Sequence, residues 1–394
     1  VNHVLAISTL YPNPVTPRFG TFVARSLEAL ARRGDWRVTV INPIGLPPVA
    51  FGRYRALADL PAVSEECGIT VHRPRFTLIP RIGARYNAAA IAAAVLPLAQ
   101  RLDTETPVDV IDAQFFFPDG PAAAQIARKL DRPLSIKARG SDITLWGERG
   151  FARTQMVAAA RQAKGLLTVS ADLADRMAAM GMERAKITLH YTGLDRDRFR
   201  PFNHPQLRRQ LSEELGFALP DGVPLLVCVG ALIARKGQAI AIRALHAIPE
   251  ALLVLVGKGE DEADLRALAA SEGLAPRVFF AGSIDHDLMP LILSAADVMV
   301  LPTANEGLAN AWVEALACGT PVVTCDVGGA RELIATDTAG RLVERTPEGV
   351  AAGVNAVLAA RPPREAVAAL AEGFSWDANA AGLAAHYEKL VSGA

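Results

Sequence analysis

Short runs of valine, isoleucine and leucine alternate with longer alanine-rich stretches along nearly the whole chain. The apolar runs predict strands buried on both faces, and the stretches between them predict helices covering those faces, the sequence form of a parallel α/β sheet. In the first half the pattern predicts strands near Val4–Ser8, Arg37–Ile41, Thr70–Arg73, Val110–Ala113, Leu134–Ala138, Gly165–Val169 and Lys186–Leu189. Helices are expected near Thr21–Arg33, Ala88–Arg101, Pro121–Leu130, Thr154–Ala163 and Ala171–Met180. The alternation restarts after Pro224 with a strand at Leu225–Gly230, a helix at Gln238–Ala247, a strand at Leu252–Gly257 and a helix around Ala263–Ser271. Strands at Val278–Gly282 and Val298–Leu301, a helix from about Ala309, and further elements at Val322–Thr324, Arg331–Ala335 and Thr346–Ala359 complete it. Between the halves lies a charged segment with Pro201 and Pro205, read as a connection. Two Rossmann-like domains are therefore expected, over 1–200 and 201–375.

Composition narrows the class. A chain of 394 residues can build two separate cores. Lys plus Arg equals Asp plus Glu at 41 each, so no global charge points to nucleic acid. Cys67, Cys228, Cys318 and Cys325 form no CxxC pair and read as small buried residues in a reducing compartment. The amino terminus has no basic region ahead of an apolar stretch, so it reads as a first strand and not as a secretory signal. The longest apolar run, Ala88 to Ala99, falls short of the roughly 20 residues a bilayer span needs.

The densest chemistry lies between Pro302 and Val323. A strand ends there, a short loop carries Glu306, and a helix follows with Glu314 on it. Backbone N–H groups of Gly307, Leu308, Ala309 and Asn310 fall at the helix start, where they lack intrahelical partners and favour an anion such as phosphate. Carboxylates on either side repel phosphate and suit hydroxyls. The order sugar hydroxyl, diphosphate, sugar hydroxyl outlines a nucleotide sugar. A second anion-binding turn opens the same half: Gly230 at a strand end, Arg235 and Lys236, and Gly237 at a helix start. Leu253–Glu260 imitates a dinucleotide fingerprint but has Glu262 at the third glycine, so it reads as a strand-end turn.

Pro302–Val323 resembles the donor-site motif of the retaining glycosyltransferases of family 4, through Glu306, Gly307, Asn310, Glu314, Ala315, Ala317, Cys318, Gly319, Pro321 and Val322. The resemblance implies a GT-B fold, an α/β architecture of two Rossmann-like parallel-sheet domains facing a central cleft, with a terminal helix over 376–394 crossing back to the first domain. It assigns hydroxyls of the transferred sugar to Glu306 and the ribose hydroxyls to Glu314. It gives Lys236 the leaving diphosphate, with Ala231 standing where the family has arginine and Arg235 a candidate substitute. Phe280–Ile284 is similar to the family's base-reading turn, which assigns Gly282 and Ile284 to the nucleoside.

Three first-domain segments also match. Arg18–Phe22 brings Gly20 and Thr21 to the diphosphate and acceptor side. Asp112–Gly120 is similar to HAHF.YPDG, with Asp112 and Gln114 replacing histidines and Asp119 retained. Lys137–Ile143 is similar to HGSDI, with Arg139 in the histidine position and Asp142 retained. Arg139 offers its cation either to sugar or phosphate, or to a structural salt bridge with Asp142 or Glu148.

The catalytic groups expected are thus Glu306, Lys236 and Arg139. Neither Asp195–Asp197 nor Asp285–Asp287 sits where metal-dependent transferases place a DxD, so neither metal nor cofactor is expected. The resemblance implies front-side transfer with retention, from a UDP- or GDP-sugar to a saccharide or lipid-linked acceptor in bacterial polysaccharide or glycolipid synthesis. A cytoplasmic protein follows, with contact at the inner face of the membrane an option. Arg73, Arg75, Arg81 and Arg85, interleaved with Phe76, Leu78, Ile79 and Ile82, form either a lipid-facing edge or a solvated loop. A nucleotide-sugar epimerase of the same fold and a silent nucleotide-sugar binder are the alternatives.

Overall fold

A computed structural model describes residues 1–49, 51–79, 83–202, 206–285 and 287–393. The chain divides into two compact units, Val1–Gly193 with Trp376–Ala394, and Leu194–Ser375. The first division falls after Gly193, ahead of the expected position after residue 200, because Leu194 and Phe199 are buried in the second core and the Leu194 N–H donates to the Phe374 carbonyl at 3.1 Å.

The first unit contains β1 (Asn2–Ile7), β2 (Trp36–Ile41), β3 (Ile44–Leu46), β4 (Val63–Glu66), β5 (Ile69–His72), β6 (Arg75–Thr77), β7 (Val110–Ala113), β8 (Leu134–Ala138), β9 (Gly165–Thr168) and β10 (Ile187–Leu189). Eight of these make one sheet in the order β10-β9-β8-β7-β1-β2-β5-β4, parallel except for the antiparallel edge strand β4. β3 and β6 form a separate two-stranded sheet. These three-residue strands and β4 carry no continuous apolar run, which is why the hydrophobic pattern does not predict them. The helix expected to end at Arg101 continues to Glu105, with Pro97 inside it. The last helix, Trp376–Ser392, packs on Thr21–Arg32 and the sheet, burying Leu383, Ala384 and Tyr387.

The second unit is a six-stranded parallel sheet of β11 (Leu225–Val229), β12 (Leu252–Val256), β13 (Val278–Gly282), β14 (Val298–Leu301), β15 (Val322–Cys325) and β16 (Gly340–Val343). Their order is β13-β12-β11-β14-β15-β16. The chain runs outward from β11 through β12 to β13, then returns to place β14 on the other flank of β11. That reversal is a topological switch point, and in open α/β sheets ligands bind in the crevice beyond the strands' carboxyl ends there. The first unit has its own reversal between β1 and β7.

Candidate active site

At the second unit's switch point, the turns after β11 and β14 are tied together. The Ala304 N–H donates to the Arg235 carbonyl at 2.8 Å. Gly237 adopts a left-handed conformation at φ 78° and passes so close to Pro302 that a Cβ would lie 2.2 Å from its carbonyl oxygen. Only glycine fits such a crossing. The consequence is that the two predicted charges meet: Lys236 Nζ lies 2.5 Å from Glu306 Oε1, with both side chains mostly buried. Arg235 joins them, its guanidinium 3.2 Å from the same oxygen and also bonded to the Asn305 carbonyl. The Arg235 side chain thus points toward Glu306, although its neighbour in sequence does so too.

Sequence reasoning missed Thr303, whose hydroxyl donates to Glu306 Oε1 at 3.0 Å, and Gly328, whose turn packs on the Glu306 carbonyl. The Gly329 N–H donates to the Gly307 carbonyl at 2.7 Å. The Val327-Gly328-Gly329 run after a strand end was the available signal for this support. The helix beyond begins at Asn310, with Ala309 as its N-cap residue and no side chain capping it, so Gly307 and Leu308 lie in the loop before it. Glu314, one turn into this helix, is half-buried, and its carboxylate has no hydrogen bond or ion pair among the described residues. Burial raises its pKa to about 7, against the pull of the Arg198 charge.

Glycines mark the neighbouring strand ends. Gly230 lies beside the Lys236 side chain, and the Gly230 N–H donates to the Val256 carbonyl at 2.9 Å. The Gly257 N–H donates to the Gly282 carbonyl at 2.8 Å. Gly282 is left-handed at φ 63°, and Ile284 beyond it is buried. Leu253–Glu260 is a strand-end turn, as read. Of the DxD segments, Asp195 accepts from the Arg198 N–H at 3.2 Å and Asp287 pairs with Arg198, while His286 lies outside the described residues.

In the first unit, the three matched segments converge at the carboxyl ends of β1, β7 and β8. Gly20 is left-handed at φ 73°, immediately before the helix that starts with exposed Thr21. Arg139 lies over the Phe22 ring at 4.9 Å, and its Nε donates to the Gln114 carbonyl at 2.8 Å. Its guanidinium makes no ion pair with Asp142 or Glu148 among the described residues, contrary to that expectation; Asp142 instead accepts the Arg139 backbone N–H at 3.0 Å. Desolvation lowers the Arg139 pKa to about 10.

Asp142 and Asp119 are fully buried and spend their carboxylates on loop amides. Asp142 also accepts from the Phe116 and Gly140 N–H groups, at 2.9 and 2.8 Å. Asp119 accepts from the Thr9 N–H and hydroxyl, both at 2.8 Å, and desolvation raises its pKa to about 7. Gln114 is buried and bonded to Arg139 and Asp112. These three acceptor-side candidates therefore shape the loops, and their functional groups are not open to a ligand.

The candidate lipid-facing edge also reads differently in three dimensions. Arg73 is buried and paired with Glu66 and Ser64, and Arg75 donates to backbone carbonyls of Arg73 and Leu60. Arg81 and Ile82 lie outside the described residues; Ile79, Arg85 and Tyr86 are exposed. No helix among the described residues is long and apolar enough to cross a membrane. Cys67 departs from the buried reading: it is exposed in the β4–β5 turn, while the other three cysteines are buried.

Two parallel α/β units, with cations and carboxylates gathered at one switch point, define a glycosyltransferase of GT-B architecture. Residues 19–198 match the family model "Glycosyltransferase Family 4", and residues 213–373 match "Glycosyl transferases group 1". The chain belongs to the family 4 glycosyltransferases and is an enzyme of the hexosyltransferase class. It is 28% identical over 344 residues to the teichuronic acid biosynthesis glycosyltransferase TuaC of Bacillus subtilis, covering 84% of this chain and 82% of that one. Identity is 32% over 243 residues to the GDP-mannose-dependent alpha-(1-6)-phosphatidylinositol monomannoside mannosyltransferase of Mycolicibacterium smegmatis, covering 59% of this chain and 62% of the relative. Anabaena HepE in complex with UDP superposes with a TM-score of 0.75 at 22% identity, covering 99% of this chain and 100% of that one, a likeness of fold.

Proposed function

We propose that this enzyme transfers a hexose from a nucleoside-diphosphate sugar, with UDP or GDP as leaving group, to a saccharide or lipid-linked acceptor. The carrying observation is the meeting of Lys236, Arg235 and Glu306 at the switch point, with unpartnered Glu314 on the helix that follows. Without donor, the two cations neutralise Glu306. On binding, the diphosphate draws Lys236 and Arg235, and Glu306 is released to accept sugar hydroxyls. Glu314 takes the ribose hydroxyls. Arg235 supplies the charge that Ala231 cannot.

The acceptor hydroxyl attacks the anomeric carbon from the face the diphosphate leaves. The new C–O bond forms as the bond to phosphate breaks, its electron pair goes to the diphosphate, and the acceptor's proton passes to the departing phosphate oxygen. Configuration is retained. Lys236, Arg235 and the helix start stabilise the charge where it develops, so the step needs no metal. By the family resemblance Thr21 is assigned to the acceptor side and Arg139 to the catalytic groups. Similarity to TuaC favours a role in bacterial surface-polymer synthesis.

The test is turnover with UDP- and GDP-sugars, with and without lipid extract. Acceptor-dependent nucleotide release, lowered about 100-fold or more in Lys236→Ala and Glu306→Ala, is expected. Isomerised donor, tight binding without turnover, or normal rates in both variants would each overturn the reading.

A further inference from the structure

Arg345 lies after β16, away in sequence from every predicted site residue. Its Nε donates to the Pro302 carbonyl at 2.9 Å, and its Nη2 donates to the Ala234 carbonyl at 3.1 Å. Pro302 begins the loop that carries Glu306, and Ala234 begins the turn that carries Lys236. One planar guanidinium therefore spans both segments, a geometry suited to arginine's rigid fork, whereas a lysine would have to hold both carbonyls from one nitrogen. Arg345 is exposed and contributes nothing to the apolar core, so its two bonds are the side chain's evident work.

The spacing of these two segments is otherwise held by few ties. The Ala304 N–H donates to the Arg235 carbonyl at 2.8 Å, the Thr303 hydroxyl oxygen lies 3.3 Å from the same carbonyl, and Gly237 crosses Pro302. The remaining ties among the described residues are made by the two cations: Lys236 and Arg235 on Glu306, and Arg235 on the Asn305 carbonyl. In the proposed reaction those ionic ties are given up when donor enters, because the cations move to phosphate and Glu306 to hydroxyls. The backbone must then keep the groups in register without them. A strap that engages only carbonyls survives the exchange.

We propose that Arg345 is a positioning residue for donor transfer, fixing the Lys236 turn against the Glu306 loop while the ion pair between them is open. This inference rests on the assignment of Lys236 and Glu306 to the donor. It gives Arg345 no contact with substrate. Its effect is on how well the phosphate and hydroxyl contacts are aimed, where small displacements are costly.

Steady-state kinetics of Arg345→Ala and Arg345→Lys, alongside Lys236→Ala and Glu306→Ala, test it. Arg345→Ala should lose about tenfold in kcat/KM for the donor, with acceptor KM within about twofold and an unchanged melting temperature. Arg345→Lys, which keeps the charge and loses the planar two-nitrogen fork, should fall between Ala and wild type. Wild-type donor kinetics in both Arg345 variants, with Lys236→Ala and Glu306→Ala impaired, would overturn the strap alone. So would a loss shared equally between donor and acceptor constants, or one tracking a lowered melting temperature. Normal turnover in all four variants would overturn the strap together with the donor assignment.

Discussion

Arg139 is held at two points by Gln114: its Nε reaches the Gln114 carbonyl at 2.8 Å, and its Nη2 reaches the same residue's side-chain oxygen. Two of the three positions at which the resembled motifs carry histidine thus hold a donor and its acceptor. Gln114→Leu removes one acceptor from a largely desolvated cation. It should cost about 1–3 kcal/mol of stability, the penalty for an unsatisfied buried polar group. Denaturant unfolding measures this, and Arg139→Leu in the same background should recover part of the loss, since the stranded charge is then gone.

Glu314 gives a pH signature. Its folded pKa, near 7, lies above that of an exposed carboxylate, so the folded state holds a proton through the interval between them. The favourable contribution is complete at low pH and is lost as pH rises toward 7. Glu314→Gln keeps the neutral form at every pH. The variant should match wild type in melting temperature near pH 4 and exceed it at pH 8. Because Asp119 titrates in the same window in both proteins, the difference between them isolates Glu314. An equal or lower melting temperature for the variant at pH 8 would contradict this.

Glu314 also shows what the sequence conveyed. Its spacing from Glu306 and the apolar strand ahead placed both carboxylates at one end of β14, and the glycines of β11, β12 and β13 marked the same edge. Such features are legible because strand, turn and helix-start preferences are local. Arg345 and Thr303 were not legible, since their role depends on which carbonyls and carboxylates the topology brings near. Arg73 shows the opposite failure: an arginine among apolar residues looks like a surface, and only its pairing with Glu66 explains its burial. The same holds for Asp119 and Asp142, whose motif positions were visible but whose amide partners were not.

Gly237→Ala tests the close crossing that joins the two donor-side turns. The substitution adds left-handed strain of about 1–2 kcal/mol and drives a methyl against the Pro302 carbonyl. The turns must part to accommodate it. Transfer should fall at least as far as in Lys236→Ala, and titration calorimetry with UDP and GDP should show weaker nucleotide binding. Retention of wild-type affinity would mean the crossing does not set the donor contacts.

The carboxyl-terminal helix is anchored by polar groups as well as by its apolar face, and the two contributions separate experimentally. Asn379 is buried; its side chain accepts from the Ser26 hydroxyl at 2.6 Å and donates to the Tyr191 carbonyl at 2.6 Å. Its own carbonyl lies 2.8 Å from His190 Nε2, and His190 Nδ1 lies 2.6 Å from Lys137 Nζ. With Nε2 donating to that carbonyl, Nδ1 is left to accept from Lys137, so a chain of bonds runs from β8 to the helix. Further along, Tyr387 packs edge-on against Trp36 with ring centroids 5.3 Å apart. Tyr387→Ala opens a cavity where a large side chain was fully buried and should cost about 3–5 kcal/mol. Asn379→Ala strands the Ser26 hydroxyl and takes an amide donor away from the Tyr191 carbonyl, and should cost about 1–3 kcal/mol. Ser26→Ala combined with Asn379→Ala should cost less than the sum of the two single changes, because the second removes a partner already stranded. Strict additivity in the double-mutant cycle would mean that the Ser26–Asn379 bond does not help hold this helix to the first unit.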